Sequence, residues 1–242
     1  MKVEVYTIIS EKDREIDVHP GILPLFLEHY SKNFPGCIIN IHVHYAKKES
    51  LELLKKFNCN IFPFPNFKKY EIEDAAQELK SNVWKSSKAD WVVVCDVDEL
   101  VQIDSKELAK LKDIDLIQFK GYHMMNKDSV KELKDINYGY PEWYYNKACM
   151  FRPTVKKVDF DKGAHKCVIS KSLRLSKLEY KLLHYNVSSF NEENFIEYYL
   201  KVYLQQEAIK KIVSKYKTNE ANNIKIARER YKELCNLMEK VK

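Results

Sequence analysis

The residues with the clearest chemical potential lie together in WVVVCDVDEL, residues 91–100. Trp91-Val92-Val93-Val94-Cys95 is a continuous apolar run, the mark of a strand buried on both faces. It leads directly into Asp96-Val97-Asp98-Glu99. Three acidic side chains so close repel one another unless a cation sits among them. Carboxylates spaced i, i+2, where a strand opens into a turn, can approach one divalent ion. An all-oxygen donor set suits Mg²⁺ or Mn²⁺. Such an ion would neutralise a phosphate-bearing ligand. The plain alternative is a polar turn after a buried strand, because a bare D-x-D is common. The apolar run with tryptophan at its head favours the functional reading.

The elements that would position this turn follow from periodicity. Val3 to Ile9 reads as a strand, and Ile22 to Tyr30 as a helix with Leu23, Phe26, Leu27 and Tyr30 at helical spacing. Cys37 to Tyr45 is a second strand, Lys48 to Phe57 a short helix, Asn60 to Phe64 a short third strand and Glu71 to Ser87 a longer helix. Strand–helix alternation of this kind implies a parallel sheet with right-handed crossovers. After Asp98 the pattern changes. Short strand candidates at Ile114–Tyr122, Ala148–Arg152, Lys156–Phe160, His165–Ile169 and Tyr180–Tyr185 are joined by loops. Gly121 to Asn146 reads as a long loop rich in Tyr, Asn and Asp, and a loop that long is usually functional or mobile. From Ser189 onward the pattern is helical, with Ser189 and Glu192 at capping-box spacing.

Ligands in open α/β sheets bind at the carboxyl ends of the strands, where Asp96 and Asp98 would sit. Two known chemistries place D-x-D there. In haloacid-dehalogenase-type phosphatases the motif opens the domain, and Leu100 departs from their pattern. In nucleotide-sugar glycosyltransferases of the A-type fold a nucleotide-binding half precedes the motif and an acceptor half follows it, the order found here. Ala89-Asp90-Trp91-Val92-Val93-Val94 leading into Asp96-Val97-Asp98-Glu99 resembles the D-x-D-E region of family 2-like glycosyltransferases. Ile22 to Tyr30 resembles that family's first helix. Tyr145-Asn146-Lys147 through Arg152-Pro153 resembles its lysine-containing strand, Gly163-Ala164-His165 its G-x-H turn, and Leu182-Leu183-His184-Tyr185 its late histidine strand. The order holds over roughly residues 3 to 200.

The resemblance implies a single α/β domain of A-type glycosyltransferase fold, with a mixed, mostly parallel central sheet flanked by helices. It would span residues 1–190, divided into a nucleotide-binding half at 1–99 and an acceptor half at 100–190, with a C-terminal helical extension at 191–242. It implies metal-dependent transfer of a sugar from a nucleoside-diphosphate sugar to an acceptor hydroxyl, with inversion and one general base. Asp96, Asp98 and His184 are then the expected metal ligands for Mn²⁺ or Mg²⁺. His165 is an alternative ligand or a donor contact. Thr7, Ile9, Asp74, Lys85, Asp96 and Lys147 are expected on the donor side. Asp161 is the first candidate base and Glu142, in an aromatic stretch suited to stacking on sugar rings, the second. The acceptor would be a glycan or a lipid-linked sugar. A phosphatase and a non-catalytic carbohydrate- or nucleotide-binding protein of the same fold are the alternatives.

Composition narrows the rest. Five glycines in 242 residues, with no glycine-rich phosphate loop, argue against P-loop and dinucleotide-binding folds. The six cysteines are scattered with no C-x-x-C pair, which argues against a zinc ribbon and for a reducing compartment. No signal peptide pattern opens the sequence, so a cytoplasmic enzyme is expected. The net charge of +6 resides in residues 201–242, with 11 Lys+Arg against 5 Asp+Glu, leaving the first 200 residues neutral. A nucleic-acid reader would carry such charge on its folded body. Here a basic, amphipathic tail suggests packing on the domain or weak, salt-sensitive contact with an anionic membrane surface.

Overall fold

A computed structural model describes residues 1–11, 21–65, 72–126, 130–155, 157–161, 167–169, 173–176, 179–185, 191–200 and 220–242. The alternating first part folds in the order its periodicity predicts, though α1 runs three residues past its expected end and α3 stops five residues short of Ser87. Strand β1 (Val3–Ser10) is followed by α1 (Ile22–Asn33), β2 (Ile38–Tyr45), α2 (Lys48–Lys56), β3 (Asn60–Pro63), α3 (Ile72–Asn82) and β4 (Trp91–Val94). β2, β1 and β4 lie side by side and parallel, with β3 on the outer edge of β2. Val92 to Cys95 are essentially inaccessible, because β1 flanks β4 on one edge, β8 (Lys147–Phe151) on the other, and core clusters cover both faces.

The second part departs from the sequence pattern in three places. Glu99–Gln102 forms a strand, β5, immediately after the acidic turn. α4 (Ser105–Leu108) follows, capped by Asp104, whose carboxylate accepts the Lys106 and Glu107 N–H groups. β6 (Leu116–Met124) is a long central strand. The segment after it is not one loop: it contains β7 (Tyr138–Pro141) and a 3-10 turn at Trp143–Tyr145 before β8. β9 (Val158–Phe160) and β10 (Cys167–Ile169) form a separate antiparallel pair. β11 (Tyr180–His184) runs parallel to β6 and antiparallel to β5. β6, β8, β9, β10 and β11 fall at the expected short strands, whereas β5, α4 and β7 with its 3-10 turn escaped the sequence reading, because four-residue elements of mixed polarity carry too few side-chain alternations to show a period.

The extension is helical over residues 192–200 (α5) and Glu220–Leu237 (α6). Among the described residues α5 is capped by Asn191, whose Oδ1 accepts the Asn194 N–H at 2.8 Å. The Ser189 expected in this role lies outside the described residues. The chain then turns into a two-residue strand, β12 (Glu239–Lys240), antiparallel to β7. In the resulting ten-stranded sheet only β5, β7 and β8 oppose the common direction, so the sheet is mixed and mostly parallel, flanked by helices. The extension is not detached. Ala227, Tyr231 and Leu234 of α6 are buried, the latter two in a small core with Met125, Tyr140 and Phe195. The apolar side of α6 is thus taken up by the domain.

Candidate functional site

The acidic turn emerges where β4 leaves the sheet, and the Glu99 N–H closes it by donating to the Asp96 carbonyl at 3.1 Å. Tyr30 of α1 braces it from the core: its hydroxyl donates to the Glu99 carbonyl at 3.1 Å and lies 3.3 Å from Cys95 Sγ. Glu99 is 1% exposed, and its carboxylate turns back to accept the Asp96 N–H at 2.9 Å. A buried carboxylate needs a counter-charge. Lys147, at the start of β8 and with a wholly buried side chain, supplies it through contacts of 2.6 and 2.8 Å to the two Glu99 oxygens.

The same lysine reaches Asp96 Oδ2 at 3.3 Å, while Lys80 of α3 pairs with Asp96 Oδ1. Burial alone would raise the Asp96 pKa, but the two ammonium groups outweigh it and hold the carboxyl far below its usual range. For Lys147, burial opposes the charge and the Glu99 and Asp96 carboxylates more than restore it. The cation among the acidic residues is therefore, in the first instance, built into the chain.

Asp98 is treated differently. Its Oδ1 is shut off from solvent and has no hydrogen-bond partner among the described residues. Burial, with the negative charges of Asp96 and Glu99, pushes its carboxyl up to about 8. Its Oδ2 lies 3.6 Å from His184 Nε2. Backbone pairing fixes this meeting. β11 pairs His184 with Glu99 of β5, and the Tyr185 N–H donates to the Asp98 carbonyl at 2.9 Å. Burial pushes the His184 imidazole down to about 4, so it is neutral, and its Nδ1 also lacks a partner among the described residues.

The other face of His184 stacks on Tyr145, with ring centroids 3.8 Å apart and planes 13° from parallel. Tyr145 can lie so close to β6 because residue 121 is glycine: a Cβ there would fall 2.4 Å from Tyr145 backbone carbon and Cβ. The Gly121 N–H donates to Asn146 Oδ1 at 2.8 Å, and its carbonyl accepts the Glu142 N–H at 3.0 Å. This close approach, not a left-handed conformation, is what the position requires.

Beside this stack opens a cavity of about 370 Å³, within the range of small-ligand sites. The domain contributes His123, Tyr140, Glu142, Trp143, Tyr144 and Tyr145. The helical extension contributes the opposite wall through Phe195, Tyr198 and Tyr199 of α5 and Arg230 and Leu234 of α6. Glu142 heads the 3-10 turn, its carboxylate accepting the Tyr144 N–H at 3.4 Å.

The sequence-based expectations divide accordingly. Asp98 and His184 meet, and their neutral imidazole and unpartnered oxygen suit a divalent cation. Asp96, expected as a fellow ligand, instead gives both oxygens to lysines. No cluster of three or more His, Cys, Asp or Glu placed to hold a metal occurs among the described residues, so such an ion would need ligand oxygens as well. Lys147, expected on the donor, has no exposed side-chain surface and acts from beneath the turn. Ile9 is likewise a core residue. Thr7 is buried at 2% exposure with Oγ1 unpartnered among the described residues, one position past the Tyr6–Val94 pair that flanks the acidic turn. Asp74 lies in the first turn of α3; Lys85 lies beyond its end on the surface, donating to Asn82 Oδ1 at 2.8 Å. Asp161 follows β9, on the side packed against α3, whereas Glu142 lines the aromatic cavity. His165 lies outside the described residues.

Lys80, Tyr145 and Tyr30 were not singled out from the sequence. Lys80 is one lysine on a charged helix face, and nothing in its spacing marks it. Tyr145 could have been suspected from its place beside Glu142 in the aromatic stretch.

No protein-family model matches the chain, and no curated protein matches it. Among solved structures, S. aureus TarS residues 1–349 in complex with UDP-GlcNAc aligns at a TM-score of 0.47 and 13% identity, over 95% of this chain and 71% of that one. The longer S. aureus TarS structure gives a TM-score of 0.45 at 12% identity over 92% of this chain, which spans only 41% of that chain's length. HddC from Yersinia pseudotuberculosis gives 0.33 at 12% identity, over 64% of this chain and 77% of that one. Likenesses of this degree carry no inference about activity, and the functional reading rests on the geometry of the site.

Proposed function

We propose that the chain is a metal-dependent glycosyltransferase that moves a sugar from a nucleoside-diphosphate sugar to an acceptor hydroxyl with inversion. The observation that carries this reading is the pair of unpartnered buried atoms, Asp98 Oδ1 and His184 Nδ1, on two side chains that meet where β4 leaves the sheet. A buried polar atom without a partner is costly, and ligand sites are where that cost is tolerated. Strand ends of this kind are where α/β sheets bind ligands.

In this reading Asp98 and His184 hold Mn²⁺ or Mg²⁺ together with diphosphate oxygens. The ion, when bound, offsets the charge that develops on the departing diphosphate. Asp96, Glu99, Lys80 and Lys147 keep the turn in one shape. The acceptor oxygen attacks the anomeric carbon, the bond from that carbon to the diphosphate breaks, and the acceptor proton passes to a carboxylate. Glu142 takes that role over Asp161 because it lines the cavity whose Tyr145 wall stacks on His184.

The test is calorimetric titration of UDP and GDP with and without Mn²⁺, followed by donor hydrolysis with a panel of nucleoside-diphosphate sugars. The expected result is nucleotide binding that depends on the ion and is lost in Asp98→Ala. Metal-independent binding that survives Asp98→Ala overturns the reading. For the base, Glu142→Gln should lower turnover about 10²-fold with donor affinity preserved, and Asp161→Asn should leave turnover within a few-fold. The reverse pattern assigns the base to Asp161.

A further inference from the structure

The cavity beside His184 has two walls of different origin, and the second is not needed to complete the sheet. α5 and α6 close it with Tyr198, Tyr199 and Arg230, opposite Glu142, Trp143 and Tyr144. The lining is chiefly aromatic and includes five tyrosines, Tyr140, Tyr144, Tyr145, Tyr198 and Tyr199. Flat apolar faces with polar tips suit a ligand that has both C–H faces and hydroxyls. Trp143 and Tyr144 are exposed side by side, at 70% and 48%, and both line the cavity, the contiguous apolar surface that marks interaction sites. Among the described residues two charged side chains line the space, the Glu142 carboxylate and the Arg230 guanidinium.

Arg230 is engaged at 3.1 Å by Glu233, one helical turn away, but both side chains are exposed and the pair is weak. The planar guanidinium can exchange that partner for a carboxylate or phosphate, which it can grip with two parallel bonds. With Glu142 assigned to the reacting hydroxyl, Arg230 is the group left to recognise something else on the same molecule.

We infer that this cavity is an acceptor site for a saccharide bearing an anionic group. The sugar ring stacks on Trp143 and Tyr144, and its carboxylate or phosphate binds Arg230 of α6. The helical extension is then part of the substrate site. The inference rests on the glycosyltransferase reading for the word acceptor; the saccharide site itself stands on the lining.

The molecule provides its own reporter. Of its three tryptophans, Trp84 and Trp91 are each 1% exposed, so ligand-induced changes in emission arise mainly at Trp143. Full-length protein is titrated with glucuronic acid, glucose 6-phosphate and methyl α-glucoside. The expected result is saturable change with both anionic sugars and binding of the neutral glycoside at least about ten-fold weaker, the worth of a charged hydrogen bond. Arg230→Gln should remove that discrimination, and Arg230→Lys should restore part of it for the phosphate. Thermal melts confirm that both exposed substitutions leave the protein folded. Equal binding of the neutral sugar overturns the inference, as does discrimination that persists in Arg230→Gln, or no response to any sugar. Mn²⁺-dependent UDP binding, measured on the same preparation, separates the two readings. Nucleotide binding without sugar binding sinks this inference alone. Sugar binding without nucleotide binding sinks the transferase reading and leaves a saccharide site.

Discussion

Asp96 and Asp98 stand two residues apart in one turn, yet they belong to opposite sides of the site. On one side Lys80, Lys147, Asp96 and Glu99 form a closed ion-pair network with a wholly buried lysine at its centre. On the other, Asp98 and His184 face each other with an unpartnered atom apiece among the described residues. The first side is satisfied by the fold; the second calls for something the described residues do not supply. Residue type and spacing are shared, so the difference comes from which strands arrive beside each carboxylate. β8 brings a cation to Asp96, and β11 brings a neutral imidazole to Asp98.

Removing a member of the open side should cost function rather than stability. Asp98→Ala is expected to lower turnover at least about a thousand-fold, since in the proposed reading it removes a ligand to the ion, while urea denaturation stays within about 1 kcal/mol of the parent. In metal-free protein at about pH 7 Asp98→Asn should raise the melting point by a few degrees, because the folded parent must keep the Asp98 carboxyl protonated beside Asp96 and Glu99 while the unfolded chain releases that proton, a cost an amide does not carry. A lower melting point in both variants would mean that Asp98 is structural and that the two sides are not distinct.

The closed side should behave in the opposite sense. Lys147→Met leaves Glu99 buried without its counter-charge and should destabilise the protein by about 3–5 kcal/mol, measured by urea denaturation. A loss under about 1 kcal/mol would show that Lys80 or water replaces it.

Gly121→Ala tests how the open side is assembled. Its Cβ would meet Tyr145 backbone at 2.4 Å, so the 3-10 turn must move. The expected cost is about 2 kcal/mol, with a change in near-ultraviolet circular dichroism as Tyr145 leaves His184. Unchanged spectra would indicate that the turn holds the ring without the glycine.

The smallest effect concerns a second buried imidazole that serves as a control. Burial pushes His29 down to about 4, and its Nε2–H donates to the Val101 carbonyl at 2.9 Å. Its unfolded form takes up a proton near pH 6.5. Between those values the unfolded chain holds more protons, so the contribution is complete above about pH 6.5 and fades as pH falls toward 4. His29→Gln should flatten that part of the stability profile by of order 1 kcal/mol. An unchanged slope would place the acid sensitivity elsewhere.

Much of the first half was legible because strands and helices of eight residues or more display their period. β1, β2 and α2 fall within one residue of their expected ranges, and α1 within three. The acidic turn was legible because a continuous apolar run and an acidic cluster meet in ten residues. β5, β7 and β12 were not, since two to four residues of mixed polarity gain strand geometry only from a partner. The extension's apolar spacing foretold a packed face, and Tyr231 and Leu234 fill it. That the face closes a cavity over Glu142 could not be foreseen, because it depends on where two helices land.

By itself, then, the sequence determined the alternating half, the strand that carries the acidic turn and the presence of three carboxylates at its end. These are local consequences of side-chain period and of apolar runs that must be buried. It took the packing of distant strands to neutralise Asp96 with Lys80 and Lys147, 16 and 51 residues away, and to leave Asp98 to His184. Coulombic and hydrogen-bond partners are selected by distance in space, and the ladders from β5 to β11 and from β4 to β8 set that distance.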